Sequence, residues 1–353
     1  MGKTTINANM PSSRKGLIYV SDDVPGITRE FSQGMFIYRG TDGKLIENAG
    51  MIDRINALAI PPAYTEVWIC PDPQGHIQAT ARDARGRKQY RYHEQWRATR
   101  DNTKYEQLGA FGLALPRIRR RVARDMKGPL LTREKTVAVI VRLLELTLIR
   151  VGNRYYAKTN KSYGLTTLRC RHTSVIGNQV RFQFRGKGGI EHDVKVSDRR
   201  IAAVIKRCME IPGQELFQFK TPDGTRCRVD SGCVNDYLKE AGGGDFTAKH
   251  YRTWAASVLT LNQLQRHAGV NQDPDSKRRI VNEVVKAAAK LLGNTPAVCR
   301  DCYIHPAVVE AYLEDRLPSR QAISTPRGLN ADERRFFAFL RTLKNGETSV
   351  NRR

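Results

Sequence analysis

The chain has 353 residues, of which 60 are Lys or Arg and 35 are Asp or Glu, so that its formal net charge is +25. A globular protein this basic most often binds a polyanion, and nucleic acid is the first candidate. Hydrophobic residues make up 40% of the chain, which excludes a disordered basic protein, and the length suits about two domains.

Cysteine usage and hydropathy bear on the cellular setting. The seven Cys residues show no framework spacing, which predicts reduced thiols and a cytoplasmic protein. The N-terminal residues have no apolar signal core. The sequence contains no run of roughly 18 apolar residues, so we expect no membrane span. We therefore expect no membrane partner.

The N-terminal part is predicted to be a flexible arm over residues 1–15, followed by a small antiparallel β domain over residues 16–98. Asp42-Gly43 predicts one hairpin, between 35–38 and 44–46, and residues 71–75 predict a second. Between them, a short helix ends at Pro61-Pro62. Residues 82–93 then alternate cations with aromatics, a pattern that favours either nucleic-acid contact or a solvated basic strand.

A mainly helical domain is predicted over residues 99–345, with a flexible tail over 346–353. Thr132 caps a helix that is apolar on nearly all sides and that delivers Arg150 at its C-terminal end. Arginines 117–124 favour a solvated face. Segments 173–176, 179–184 and 192–196 predict a three-stranded meander with Lys187 at a hairpin tip. The helices that follow include one capped by Ser197 and a last one over 331–344.

A break between two helices stands near the end of this domain. One helix ends at Gly293, and a short helix restarts with Thr295 as N-cap and Pro296 at its first position. Tyr303 lies near the end of that short helix. Cys299 and Cys302 have no second ligand pair at zinc spacing, so we expect no metal site and a packing role instead.

Several common catalytic motifs are missing from the sequence, including a phosphate-binding Gly-x-x-x-x-Gly-Lys loop and a Gly-x-Ser-x-Gly elbow. The domain does carry scattered cations and a phenol. Arginines can clamp a phosphodiester transition state, a lysine can protonate the leaving oxygen, and a tyrosine can act as nucleophile. Composition alone does not make this assignment unique.

Five blocks in order resemble the type IB DNA topoisomerases of the short poxvirus-like bacterial branch, and the resemblance covers most of the chain. The blocks are Ile149-Arg150-Val151-Gly152-Asn153, Tyr163-Gly164-Leu165-Thr166-Thr167-Leu168-Arg169, Phe184-Arg185-Gly186-Lys187-Gly188-Gly189, Lys249-His250-Tyr251-Arg252-Thr253, and Leu292-Gly293-Asn294-Thr295-Pro296 with Cys302-Tyr303. The segments around Pro61-Pro62 and 86–90 also fit. The resemblance implies an α+β protein with the catalytic fold shared by these topoisomerases and the tyrosine recombinases.

The resemblance also implies catalytic roles. Tyr303 would attack a DNA phosphodiester, giving a 3′-phosphotyrosyl link and a free 5′-hydroxyl. Arg150 and Arg252 would stabilise the transition state, and Lys187 would be the general acid. Asn294 stands where the family often has His, and it can donate a hydrogen bond but cannot shuttle a proton. Supercoils would relax by strand swivelling and religation, with no ATP, metal or other cofactor.

The implied partner is double-stranded DNA, clamped by a monomeric, nucleoid-associated enzyme. The implied DNA-binding residues are Gln89, Tyr90, Tyr92, Arg100 and Lys249. A tyrosine recombinase is the nearest alternative, although that class usually carries His-x-x-Arg where this chain has Lys249-x-x-Arg252, and its N-terminal domain is helical. A DNA-binding protein without catalysis is the alternative from another class.

Overall fold

The computed structural model describes residues 16–84, 86–268, 273–318 and 327–350, without the side chains of 97–104 and 344–350. The expected arm over residues 1–15 lies outside the described residues. The chain divides after Lys104 into two compact units, whereas the predicted boundary lies between residues 98 and 99. Within the described parts, no helix is long and apolar enough to cross a bilayer.

The first unit is built around one antiparallel sheet. Its elements are β1 (Ile27–Ser32), β2 (Met35–Arg39), α1 (Ala49–Ala57), β3 (Thr65–Ile69), β4 (Ile77–Arg82) and β5 (Lys88–Tyr92). The strand order is β2-β1-β3-β4-β5, and each neighbouring pair is antiparallel. Ile55 of α1 and Ile69 of β3 lie in its small apolar core. The predicted β class of this region is confirmed.

The two predicted hairpins differ in outcome. The hairpin around residues 71–75 is confirmed, because β3 pairs with β4. The hairpin around Asp42-Gly43 forms only a single bridge, between Arg39 and Leu45, and β2 pairs along its length with β1 instead. Strand β1 escaped prediction because Ile27 is the only one of its residues that is fully buried, so the strand lacks apolar alternation.

The second unit is mainly helical, with a meander and a two-stranded ribbon. Its elements are α2 (Glu94–Asp125) from Tyr105 onward, α3 (Arg133–Thr147), α4 (Arg154–Thr159), β6 (Thr173–Ile176), β7 (Gln179–Arg185), β8 (Glu191–Ser197), α5 (Arg199–Glu210), β9 (Gln218–Lys220), β10 (Arg226–Arg228), α6 (Ser231–Gly242), α7 (Ala248–Leu264), α8 (Pro274–Leu292), α9 (Pro296–Cys302), α10 (Pro306–Leu313) and α11 (Ala331–Val350).

The core of this unit forms around α3, as its all-round apolar sequence predicts. Val137, Ile140 and Leu144 of α3 are fully buried, and Thr132 caps the helix by accepting a hydrogen bond from the Lys135 amide. The meander is confirmed, with order β6-β7-β8. The α+β class predicted from the sequence is therefore confirmed.

Two predicted helix ends are wrong. Asp198, rather than Ser197, caps α5, because its carboxylate accepts hydrogen bonds from the amides of Arg200 and Ile201. The last helix continues to Val350, so residues 346–350 of the predicted tail are helical, while 351–353 lie outside the described residues.

Helix α11 is held to the unit by a partly buried ion cluster and an aromatic contact. Arg119 of α2 bridges Glu145 of α3, at 2.6 Å, and Glu333 of α11, at 2.7 Å. Phe336 is fully buried and meets Trp254 of α7 edge to face, with ring centroids 5.1 Å apart. Arg119 therefore has a structural role, which corrects its assignment to a solvated face.

Candidate active site

Arg252 lies at the centre of the candidate site and is only 3% exposed. It stands near the start of α7, whose first turn is capped by Thr247. Its guanidinium donates hydrogen bonds to the carbonyl oxygen of Leu148, just after α3, and to that of Leu292, at 2.8 Å, at the end of α8. Arg252 thus ties together the C-terminal ends of two helices that carry other site residues.

Arg150 follows α3 and points to the same place. Its guanidinium donates to the carbonyl oxygen of Gly293, at 3.2 Å, and to the Oδ1 atom of Asn294. The backbone around Arg150 is tightly packed, because a Cβ at Gly164 would lie 2.4 Å from the Arg150 carbonyl oxygen. A larger residue at position 164 would displace the segment that aims Arg150.

The break between α8 and α9 has the geometry that the sequence predicts. Gly293 adopts left-handed backbone angles, φ 57° and ψ 53°, and the amide of Asn294 donates to the carbonyl oxygen of Ala289 at 2.9 Å. The hydroxyl of Thr295 accepts from the Val298 amide and caps α9. Since Arg150 can only donate, it occupies the oxygen of the Asn294 amide and leaves Nδ2 as a donor.

Tyr303 caps the C-terminal end of α9 and lies against Arg252. The Arg252 guanidinium carbon is 5.1 Å from the centroid of the Tyr303 ring. Burial raises the pKa of Tyr303, but the charges of Arg252, Arg150 and Lys249 more than offset burial and bring the pKa below its ordinary value. This environment favours the phenolate, which is the nucleophilic form of the side chain.

Lys187 stands at the tip of the β7–β8 hairpin and is exposed. Among the described residues it has no hydrogen bond or ion pair in the structure. It is connected to the arginine cluster through His192 of β8, which lies close to both Gly186 and Gly293. The arrangement therefore brings four of the predicted residues into one cluster: Arg150, Arg252, Asn294 and Tyr303. Lys187 does not contact this cluster directly, and His192 lies between its hairpin and the α8–α9 break.

Comparison with known proteins identifies the family of this site. Residues 93–324 match the model of the eukaryotic DNA topoisomerase I catalytic core, and residues 35–83 match that of the bacterial DNA topoisomerase IB N-terminal domain. DNA topoisomerase 1B of Acanthamoeba polyphaga mimivirus is 31% identical over 294 residues, covering 81% of this chain and 87% of the relative. The chain belongs to the type IB DNA topoisomerase family.

More distant relatives agree with this membership. DNA topoisomerase 1B of Vaccinia virus (strain Copenhagen) is 20% identical over 65% of this chain and 70% of the relative. DNA topoisomerase 1 of Mycosarcoma maydis is 26% identical over 52% of this chain, although the match spans only 20% of that protein. As a type IB topoisomerase, the enzyme relaxes supercoiled DNA by transient cleavage of one strand through a 3′-phosphotyrosyl intermediate. The predicted family and activity are confirmed, and the recombinase alternative is set aside.

The DNA-binding residues predicted for this topoisomerase occupy different settings. The Nε2 atom of Gln89 donates to the buried carboxylate of Asp83 at 3.0 Å, which orients the amide. Tyr90 and Tyr92 stack with centroids 5.9 Å apart. The side chain of Arg100 lies outside the described residues. Lys249 is exposed, and its charge acts on Tyr303, so it belongs to the surroundings of the site.

Ser257 is a site residue of the topoisomerase that the sequence did not reveal. Its hydroxyl is fully buried on α7, donates to the carbonyl oxygen of Tyr303 at 3.2 Å and accepts from the amide of His305 at 2.9 Å. It therefore fixes the backbone that directly follows the tyrosine to the helix that carries Arg252. A buried Ser in a helix has no sequence signature that distinguishes this role from ordinary packing.

Ser257→Ala is expected to slow formation of the covalent DNA complex about 10- to 100-fold, since it removes both hydrogen bonds to the segment that follows Tyr303, at about 1–3 kcal/mol. Single-turnover cleavage of a DNA duplex measures this rate. Thr260→Val is the matched control, because it removes a buried hydroxyl of α7 that donates within its own helix, to the carbonyl oxygen of Ala256. A wild-type rate for Ser257→Ala would contradict the assignment.

Proposed function

We propose that Tyr303 is the nucleophile of this topoisomerase and that Arg150, Arg252 and Asn294 hold the scissile phosphate. The observation that carries the proposal is the convergence of both guanidinium groups on the α8–α9 break, with the Tyr303 ring against Arg252. Oxygen anions that develop on phosphorus in the transition state are stabilised by such preorganised donors.

Two buried donors in this cluster support phosphate binding. The Nε atom of Arg252 and the Nδ2 atom of Asn294 have no hydrogen-bond partner among the described residues. Buried polar atoms without partners are rare in folded proteins and ask for an explanation. The non-bridging oxygens of a DNA phosphate would supply the acceptors, with Asn294 acting as a neutral donor.

In the cleavage step, the Tyr303 oxygen forms a bond to phosphorus while the bond from phosphorus to the 5′-oxygen breaks. The phenolic proton of Tyr303 passes to solvent, and Lys187 donates a proton to the departing 5′-oxygen, giving a 5′-hydroxyl. Religation is the reverse, with the 5′-hydroxyl displacing Tyr303. The exposed position of Lys187 on a hairpin tip lets it approach a phosphate bound beside the arginines.

Between cleavage and religation, the free 5′-end swivels about the intact strand and supercoils of either sign relax. One phosphoester is exchanged for another, so the reaction needs no ATP. In our proposal the two arginines supply the positive charge that stabilises the negative oxygens on phosphorus, and no metal ion takes part.

We assign DNA binding to both parts of the chain, with residues 16–98 as a clamp domain and 99–345 as the catalytic domain. Gln89, Tyr90, Tyr92, Arg100 and Lys249 are the proposed contacts to a DNA duplex. The net charge of +25 supports binding to DNA phosphates. The affinity of such binding falls steeply as salt is added. We further propose that the enzyme acts as a monomer at the nucleoid.

Incubation with supercoiled plasmid in EDTA and without ATP tests this function. We expect relaxation of both negatively and positively supercoiled plasmid, because the energy of supercoiling drives the swivelling. No recombined plasmid should form. A strict requirement for a divalent metal or ATP, or relaxation of only one sign, would contradict the proposal.

A further inference from the structure

His192 of β8 lies between two glycines that each precede a residue of the active site. A Cβ at Gly186, next to Lys187, would lie 2.5 Å from the Nε2 atom of His192. A Cβ at Gly293, next to Asn294, would lie 2.9 Å from its Cε1 atom. Only glycine at both positions leaves room for the imidazole, so the ring edge is enclosed by the hairpin and by the α8–α9 break.

One face of the imidazole ring packs against the meander. His192 is the cross-strand partner of Phe184 on β7, and the two rings stack with centroids 4.7 Å apart and planes 11° apart. Phe184 is itself only 4% exposed and belongs to the main core. The ring of His192 is therefore held by the core on one side and contacts the hairpin tip at Gly186 on the other.

The imidazole is kept neutral in this position. Burial lowers the pKa of His192, the charges of Arg150 and Arg252 lower it further, and Glu191 only partly opposes them. A neutral ring adds no third positive charge against the guanidinium groups. A neutral imidazole is better suited to act as a spacer between the charged parts of the site than to bind the phosphate.

We propose that His192 is a positioning residue that holds the Lys187 hairpin at a set distance from the Arg150–Asn294 cluster. The lysine ammonium can then reach the 5′-oxygen of the same phosphate that the arginines hold. This inference rests on the role proposed above for Lys187 as general acid.

The test compares two DNA duplexes that carry a cleavage site mapped with the wild-type enzyme. One has the ordinary 5′-oxygen, and the other has a bridging sulfur, which leaves without protonation. His192→Ala is expected to slow single-turnover cleavage of the oxygen substrate about 10- to 100-fold, a partial loss of the roughly 10²- to 10⁴-fold that a general acid contributes. On the sulfur substrate its rate should stay within about threefold of wild type. A variant that carries both Lys187→Ala and His192→Ala should be no slower than Lys187→Ala alone.

Gly186→Ala probes the same contact from the hairpin side. The backbone angles of Gly186, φ −93° and ψ −170°, suit any residue, so the added methyl group acts by contact with His192 rather than by backbone strain. We expect the same selective loss on the oxygen substrate. Gly232→Ala, at an exposed position of α6, is the matched control and should cleave both substrates at the wild-type rate.

Three outcomes would overturn the inference. Equal slowing of both substrates by His192→Ala would assign the residue to folding or to phosphate binding. A wild-type rate on the oxygen substrate would show that the spacer is dispensable. If Lys187→Ala itself slows both substrates equally, the proposed acid is wrong, and the inference falls with it.

Discussion

Tyr303→Phe is expected to abolish relaxation of supercoiled plasmid, to below the detection limit of a gel assay. The substitution removes the oxygen that forms the bond to phosphorus, and the structure provides no second phenol against Arg252 among the described residues. The ring and its packing remain, so DNA binding should stay close to that of the wild type. Relaxation and DNA affinity are measured on the same preparation.

Tyr237→Phe is the matched control for this prediction. Tyr237 is a buried phenol of the same unit, and its hydroxyl donates to Asp125 at 2.9 Å, away from the arginine cluster. Losing that bond is expected to cost about 2 kcal/mol of stability without loss of relaxation. Relaxation by Tyr303→Phe at a measurable rate would remove Tyr303 from the nucleophile's role.

Lys187→Ala is expected to slow cleavage of an ordinary phosphodiester by about 10²- to 10⁴-fold, the usual contribution of a general acid. The 5′-oxygen is a poor leaving group unless it is protonated as its bond to phosphorus breaks. A bridging sulfur needs no proton, so the same variant should cleave a 5′-phosphorothiolate nearly as fast as the wild type. Single-turnover rates on the two substrates measure the difference.

Lys195→Ala controls for loss of positive charge near the site. Lys195 lies exposed on β8, in the same meander as Lys187. Its removal should weaken DNA binding at most slightly and leave the ratio of the two rates unchanged. If Lys187→Ala slows both substrates by the same factor, the lysine contributes binding or structure rather than a proton.

Local sequence signals predicted much of the helical domain. Thr295 and Pro296 mark the start of α9 because capping and a fixed φ are local properties, and both are observed. Gly293 marks the end of α8 for the same reason, since its left-handed angles favour glycine. The apolar run after Thr132 predicted a buried helix, and α3 lies in the core.

Tertiary contacts account for what the sequence did not predict. Strand β1 is mostly exposed and is held by its pairing with the neighbouring strands rather than by an alternating apolar face. Arg119 looks like one cation among several until α11 brings Glu333 beside it. Ser257 and His192 acquire their roles only when α9 and the hairpin fold against them. The resemblance, and not the spacing of residues, supplied the catalytic assignment.

Mapping the covalent adduct tests the central claim most directly. A duplex labelled at one end of the cleaved strand is incubated with the enzyme in EDTA, denatured, and the labelled protein is digested for peptide identification. Our account predicts that a 5′-end label stays on the protein, that a 3′-end label does not, and that the nucleotide is attached to Tyr303. Retention of the 3′-end label, or attachment to any other residue, would contradict it.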